Sequence, residues 1–259
     1  MRHMIAEEPL SRAAVWSRRT AVFALATAAV AIALSRFGRL EPAAALTVFG
    51  AALVLAFLAV LLACAAAVVI WRTGRGGSGQ AAIGFALSLA LLAEPAYLMV
   101  AALRLPALND VSTDLEAPPS FMISAKAREA RAGHAPPAWD AANNALQRAA
   151  YPEVQPILVD LEADQAYQLS LRIAKELGWR VVDANPPNLR VDGAAQIEAT
   201  DRSLLFGFYD DIVIRIRPLA SQTRIDIRSS SRVGRHDFGD DARRIGKFAA
   251  AVQESMSER

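Results

Sequence analysis

The sequence reads DIVIRIR at residues 211–217 and TRIDIR at residues 223–228, and isoleucine recurs at every second position in both segments. Successive side chains of a β-strand point to opposite faces, so this period of two predicts strands with one buried face. A turn near Ala220 would join the two segments. We therefore predict an antiparallel hairpin whose isoleucine side chains enter a hydrophobic core.

The register of the hairpin follows from its charged residues. Closing the turn places Arg217 opposite Arg224. It also places Arg215 opposite Asp226 and leaves every isoleucine on the same face. A slip by one residue would exchange the faces of one strand and bury Arg224 and Arg228. The predicted register is therefore the one that keeps arginine side chains out of the core.

Further strands and two helices flank the hairpin. Residue type and alternation predict strands near residues 157–161, 179–183 and 194–201. Apolar residues at helical spacing predict helices near residues 164–177 and 240–256. Successive strands flanked by helices indicate an α+β fold, in which two helices cover one face of an antiparallel sheet.

The N-terminal part of the sequence has a different composition. Residues 1–108 contain nine arginines and four acidic residues, whereas residues 109–259 contain 19 basic and 22 acidic residues. Three apolar runs predict transmembrane helices at about residues 20–36, 42–71 and 81–104, because about 20 apolar residues in a helix span the hydrocarbon layer. A cleaved signal peptide is the alternative interpretation of the first run.

The sequence thus predicts three regions. Residues 1–107 form the transmembrane region, and residues 151–259 form the α+β domain. Between them, residues 108–150 form an extended strap and a linker with a short helix around residues 139–149, opened by Pro136 and Pro137.

Basic residues in the short loops predict the orientation of the helices. Six arginines are expected on the cytoplasmic side: Arg2, Arg12, Arg18, Arg19, Arg72 and Arg75. Three are expected on the opposite side: Arg36, Arg39 and Arg104. With a cytoplasmic N-terminus and three spans, the C-terminal domain is exported. We therefore predict a multi-pass inner-membrane protein with a periplasmic domain.

One acidic residue, Glu94, lies inside a predicted transmembrane helix. Ionisable groups at this depth usually have a partner or a role, so Glu94 is a candidate for a proton-linked or ion-linked site. The alternative is a protonated carboxyl, or one held by backbone groups that Pro95 leaves without hydrogen bonds. The single cysteine, Cys64, has no partner, which excludes a disulfide-stapled secreted module.

A polar cluster lies on and after the hairpin, before the last predicted helix. Its members are Arg228, Ser229, Ser231, Arg232 and Arg235, with Asp210 and Asp211 at the start of the hairpin. Guanidinium groups, hydroxyl groups and exposed backbone N–H groups together suit a phosphate or a carboxylate. These residues are therefore the predicted anion-binding site.

The same cluster has a structural alternative, in which its charges only hold the fold together. The expected contacts are those of Arg215 with Asp226, of Asp210 and Asp211 with Arg228 or Arg232, and of Asp237 with the N-terminus of the last helix.

A catalytic alternative uses neighbouring residues. A hydrolase acting on a lipid or another envelope substrate would use Asp210, Asp211 and His236. A metal site formed by these residues and Asp240 would match no known ligand spacing. We predict no metal and no cofactor.

Several sequence blocks resemble a known family. They are LNDVSTD (108–114), PPSF (118–121), Tyr151-Pro152, Trp179, IEA (197–199), FYDDIVIRIRPL (208–219), IDIRSSSRVGRHDFG (225–239) and Ala242-x-Arg244-Ile245. In this order they resemble the family of unknown function DUF1499. His236 stands where the family usually has a small residue, and Asp241 stands where asparagine is common. The resemblance implies a domain often found beside membrane segments, and it implies no activity.

Together these features predict an integral membrane protein whose exported domain is non-enzymatic. The domain is expected to bind an anionic envelope component or a partner protein, and the envelope hydrolase is the alternative. A transporter built around Glu94 would require several copies of the chain. No segment outside the short loops is strongly basic, so nucleic acid is not an expected partner.

Overall fold

The computed structural model describes residues 9–122, 124–135, 138–187 and 193–258. Within it the chain forms two compact units. The first comprises Met1–Val100 and Leu205–Gly207, and the second comprises Ala101–Leu204 and Phe208–Arg259. Two prolines, Pro136 and Pro137, were predicted to open a short helix, and both lie outside the described residues. Arg2 also lies outside them.

The first unit contains three long helices. They are α1 (Arg12–Arg36), α2 (Pro42–Thr73) and α3 (Ser78–Arg104). Each is long and apolar enough to cross a membrane, so the prediction of three long apolar helices is confirmed. Helix α1 begins before the uncharged run at residue 20, because a helix continues through Arg18 and Arg19 wherever their side chains reach a polar environment.

Helices α1 and α2 pack through small side chains. Ser17 Oγ donates a hydrogen bond to the carbonyl oxygen of Ala59 at 2.8 Å. All the buried residues of these two helices except Phe49 are alanine or serine, and such small side chains let the two backbones approach closely. They recur at intervals of three and four: Ala14, Ser17, Ala21, Ala24, Ala28, Ala31 and Ser35 in α1, and Ala45, Phe49, Ala52, Ala56, Ala59, Ala63 and Ala66 in α2.

The second unit is built on a six-stranded antiparallel sheet. Its strands are β1 (Asp110–Ser112), β2 (Ile157–Val159), β3 (Arg180–Asn185), β4 (Ala195–Arg202), β5 (Tyr209–Pro218) and β6 (Thr223–Ser231). The order is β1-β6-β5-β4-β3, and β2 also pairs with β6. Strands β1 and β2 therefore pair with successive parts of the same edge of β6.

The predicted hairpin is β5 and β6, in the predicted register. Arg215 pairs with Asp226, and Arg217 pairs with Arg224. The five isoleucines of the alternating pattern are completely buried on one face: Ile212, Ile214, Ile216, Ile225 and Ile227.

Two amphipathic helices pack on that face and complete the predicted α+β fold. They are α6 (Ala163–Glu176) and α7 (Asp240–Ser257), and two shorter helices, α4 (Ala125–Ala130) and α5 (Asn144–Ala150), precede them. Ile173 of α6 and Phe248 of α7 are fully buried. The Phe248 ring stacks on Trp179, with centroids 5.6 Å apart. The core therefore lies between the isoleucine face of the sheet and helices α6 and α7.

The sheet begins earlier in the chain than the sequence analysis placed it. Residues 108–150 were predicted as a strap and a linker, but Asp110–Ser112 is a strand of the sheet. The difference has a physical reason, because a three-residue strand with Val111 as its one apolar side chain is too short to show alternation. This strand brings its neighbours Asn109 and Asp114 to the sheet.

Candidate functional site

The two faces of the sheet carry different sets of charged side chains. Neighbouring residues of a strand point to opposite faces. Asp210 accordingly pairs with Arg244 of α7, on the helix-covered face. Asp211 pairs with Arg232, which extends from the other face. The polar cluster predicted from the sequence is therefore divided into two separate sets.

On the helix-covered face, Arg244 is the centre of an acidic cluster. Its Nε atom donates to Asp201 at 2.9 Å, and its Nη1 atom donates to Asp241 at 2.7 Å. Its Nη2 atom donates to Asp210. Ser229 Oγ also donates to Asp241, at 2.6 Å. One guanidinium group thus serves three carboxylates, and the cluster carries an excess of negative charge when all of them are ionised.

Burial changes the acidity of this cluster. It raises the pKa of Asp210 to about 6, although Arg244 works in the opposite direction. Burial and the neighbouring Asp237 raise the pKa of Asp241 well above its ordinary value. The pKa of Arg244 is also raised, because Asp241 and Asp210 outweigh the effect of burial.

Asp237 links this cluster to the start of α7. Its carboxylate accepts hydrogen bonds from the backbone N–H groups of Gly239 and Asp241, at 2.9 and 2.8 Å. This is the capping contact that the structural alternative anticipated. Nearby, the pKa of Tyr151 is raised to about 12, mainly because the side chain is buried and also because Asp237 is negatively charged.

On the other face, Arg228 and Arg232 are each held by two hydrogen bonds to one carboxylate. Arg228 binds Asp110 at 2.8 and 2.6 Å, and its guanidinium carbon lies 4.9 Å from the centre of the Phe121 ring. Arg232 binds Asp211 at 2.9 and 2.6 Å. Both arginine side chains are largely buried. Their charges are balanced within the domain.

Three further arginines form what we call the triple-arginine cluster: Arg215, Arg217 and Arg224, with Asp114 and Asp226. All three guanidinium groups contact Asp114 Oδ2, at 2.9, 3.2 and 2.9 Å. They also contact the Asp226 carboxylate, at 2.9, 3.0 and 2.8 Å. Three cations therefore share two anions, which leaves one positive charge in excess.

The triple-arginine cluster reaches solvent through its arginines. The exposed fraction is 36% for the Arg217 side chain and 26% for Arg224, whereas Asp226 is fully buried. Burial opposes ionisation of Asp114, but the backbone N–H group of Ala117 and the charge of Arg224 lower its pKa. The carboxylates thus lie beneath the guanidinium groups, which are presented outward.

The remaining predicted site residues belong to none of these charged clusters. Arg235 is exposed and makes no hydrogen bond or ion pair with the described part of the chain. His236 Nδ1 accepts a hydrogen bond from the N–H group of Phe238 at 2.9 Å. Glu94 is exposed on α3. Asp210 and Asp211, two of the hydrolase candidates, point to opposite faces and cannot act on one substrate atom.

Sequence reasoning overlooked Arg217, Arg224 and Arg244 as members of charged clusters, and it placed Asp114 in a polar strap and not beside these arginines. The first two could have been found, since the predicted register already placed Arg217 opposite Arg224, an unfavourable pair without a shared anion. The sequence gave no sign that Asp114 and Arg244 pair with these particular partners. They come from segments that only the folded chain brings to the sheet.

Comparison with known proteins identifies the second unit. The family model described as "Protein of unknown function (DUF1499)" matches residues 110–252, from the first strand to the last helix of the sheet domain. No curated protein matches the chain. The chain belongs to the DUF1499 family.

Proposed function

We propose that this member of the DUF1499 family is a multi-pass inner-membrane protein whose exported, non-enzymatic domain binds an anionic group of the envelope. The observation that carries the proposal is the triple-arginine cluster, in which Arg215, Arg217 and Arg224 share two carboxylates. The chemical group recognised is a phosphate or carboxylate, because both accept paired hydrogen bonds from a guanidinium group.

The charge balance favours this cluster over the turn predicted from the sequence. Arg228 and Arg232 already have a carboxylate each, and an incoming anion would have to displace Asp110 or Asp211. Arg217 could contact an anion while Asp226 keeps the cluster in place. Arg235 is exposed in the turn after β6, at the opposite end of this strand from Arg224, and is a separate candidate contact.

A binding role is also supported over hydrolysis. Asp210, Asp211 and His236 are each engaged with a different partner: Arg244, Arg232 and the backbone of Phe238. A hydrolytic site would need at least two of these groups within reach of one substrate atom. The arrangement instead resembles a lattice of ion pairs that holds strands and helices in a fixed shape.

The exported location is supported by the excess of arginines in the segments assigned to the cytoplasm. The packing of α1 on α2 along a row of mostly alanine and serine side chains supports a first helix that is retained. An envelope-facing domain on a membrane anchor would meet phosphate and carboxylate groups of lipids, polymers and proteins.

Thermal unfolding of the full chain in neutral detergent tests the anion site. We expect sodium phosphate to raise the Tm more than sodium chloride of equal ionic strength, because phosphate offsets the excess charge of the cluster. In Arg217→Gln the phosphate effect should fall by half or more, while the Tm without phosphate changes little.

Arg243→Gln is the matched control, since Arg243 is also exposed but lies on α7 away from the cluster. It should keep the full phosphate effect. An equal response of both variants, or no phosphate effect on the unaltered chain, would show that the cluster is purely structural.

A further inference from the structure

The helical unit carries a groove with one polar end and one apolar side. The groove has a volume of about 550 Å³. Its polar end is formed by Arg18, Arg19 and Gln80, with Val15 beside them, and its apolar side by Val22, Phe23 and Ala26. Gln80 belongs to α3 and the others to α1, so the groove lies beside the contact of these helices.

The two arginines of the groove are available to a ligand. Both side chains are exposed. Neither forms an ion pair with an acidic group in the described part of the chain. Arg19 lies over the ring of Trp16, with 5.8 Å between its guanidinium carbon and the ring centre. Arginine and tryptophan side by side are typical of the membrane–water interface.

The position of the groove along the helices is informative. Arg18 and Arg19 immediately precede the uncharged run at residues 20–35, and Gln80 immediately precedes the apolar run of α3. When these runs occupy the hydrocarbon layer, the polar end of the groove lies at the level of the lipid headgroups. Val22, Phe23 and Ala26 then lie at the level of the acyl chains.

We propose that this groove binds an anionic phospholipid. The guanidinium groups of Arg18 and Arg19 bind the headgroup phosphate, and the Gln80 amide adds a hydrogen bond donor. The acyl chain packs along Val22 and Phe23. The ligand is a lipid and not free phosphate, since half of the groove is apolar and adjoins the charges directly. This inference rests on the membrane part of the proposed function and not on the triple-arginine cluster.

Quenching of Trp16 fluorescence by brominated lipids tests this site. The full chain carrying Trp71→Phe is reconstituted into phosphatidylcholine vesicles with increasing fractions of phosphatidylglycerol, with bromine on the acyl chains of one lipid or the other. The same chain with Trp16→Phe gives the background. Each arginine near the surface contributes about fivefold to anionic lipid binding, so two predict a preference of about 25-fold.

The control variant removes the same charge elsewhere. We expect Arg18→Gln/Arg19→Gln to abolish the preference for phosphatidylglycerol. Arg72→Gln/Arg75→Gln, which removes two arginines predicted on the same side of the membrane but outside the groove, should retain it. Equal loss in both double variants would overturn the groove as a specific site.

The remaining outcomes separate this inference from the proposed function. Equal quenching by both brominated lipids in the unaltered chain would overturn lipid selectivity while leaving membrane insertion intact. Absence of quenching by either lipid would show that no acyl chain lies near Trp16 and would overturn the groove as a lipid site.

Discussion

Single carboxyl groups in this domain differ sharply in their surroundings. Asp210 shares the guanidinium group of Arg244 with two other acids, whereas Asp226 is surrounded by three arginines. Burial of a carboxylate is costly unless cations compensate it. The first environment therefore favours a protonated acid, whereas the second surrounds the carboxyl with cations.

This difference predicts how stability depends on pH. The pKa of Asp210 is raised from 3.8 to about 6 on folding. The folded state thus binds this proton more tightly than the unfolded state, and the free energy of unfolding should increase as the pH falls from 7 towards 5. About 1 kcal/mol of this effect falls between pH 7 and 5, and the full shift, about 3 kcal/mol, is reached only below the unfolded pKa. Chemical denaturation of the full chain in detergent at several pH values measures this change in the free energy of unfolding.

Asp210→Asn removes this titrating group and should make the dependence between pH 7 and 5 less steep. Glu254→Gln, which changes an exposed carboxyl further along α7, is the control and should leave the slope unchanged. Equal slopes for Asp210→Asn and the unaltered chain would contradict the assignment.

At the scale of elements, the helical unit depends on close approach of backbones. Alanine and serine line the α1–α2 contact, and α3 reaches α1 at Gly84. A Cβ atom at Gly84 would clash with Ser17 Oγ and lie 2.8 Å from the backbone nitrogen of Arg18. Glycine is therefore required here for packing and not for an unusual backbone conformation.

Two glycines in helices allow a matched test of this packing. Gly84→Ala should lower the stability of the helical unit, because the methyl group meets backbone atoms that cannot move aside. Gly50→Ala should be neutral or stabilising, since a Cβ atom there meets no atom within 4 Å and alanine favours a helix by about 1 kcal/mol. Loss of helical circular dichroism during titration with SDS measures both variants. The same midpoint for the two would refute the contact.

At the scale of the whole molecule, the chain combines three apolar helices with one charged sheet domain. The two units use opposite means of packing. Small apolar side chains hold the helices together, while ion pairs on both faces of the sheet supplement an isoleucine core. Such a division suits a chain whose first part contacts lipid and whose second part contacts water.

Topology reporters test the proposed orientation. Alkaline phosphatase fused at the C-terminus should be active, and a fluorescent protein fused there should be dark, because we expect this end to be exported. Fusions after Arg39 and after Arg75 should give the exported and the cytoplasmic result, respectively. A C-terminal fusion that reports only the cytoplasm would reverse the orientation and the choice of ligands.

The sequence by itself determined the elements with strong periodicity. The alternation of isoleucine and charge in residues 211–228 fixed two strands, their pairing and their buried face, because each side chain of a strand has one of two directions. The apolar runs likewise determined three long helices. These features are local, so no knowledge of distant segments was needed.

Only the tertiary structure decided which charges meet. Asp114 reaches Arg215 across 101 residues of sequence, and Arg244 reaches Asp210 across 34. Local patterns also gave no sign that Asp110–Ser112 completes the edge of the sheet. The reason is physical: an ion pair depends on distance in space, and a short segment of suitable charge can pair with many others until the fold selects one.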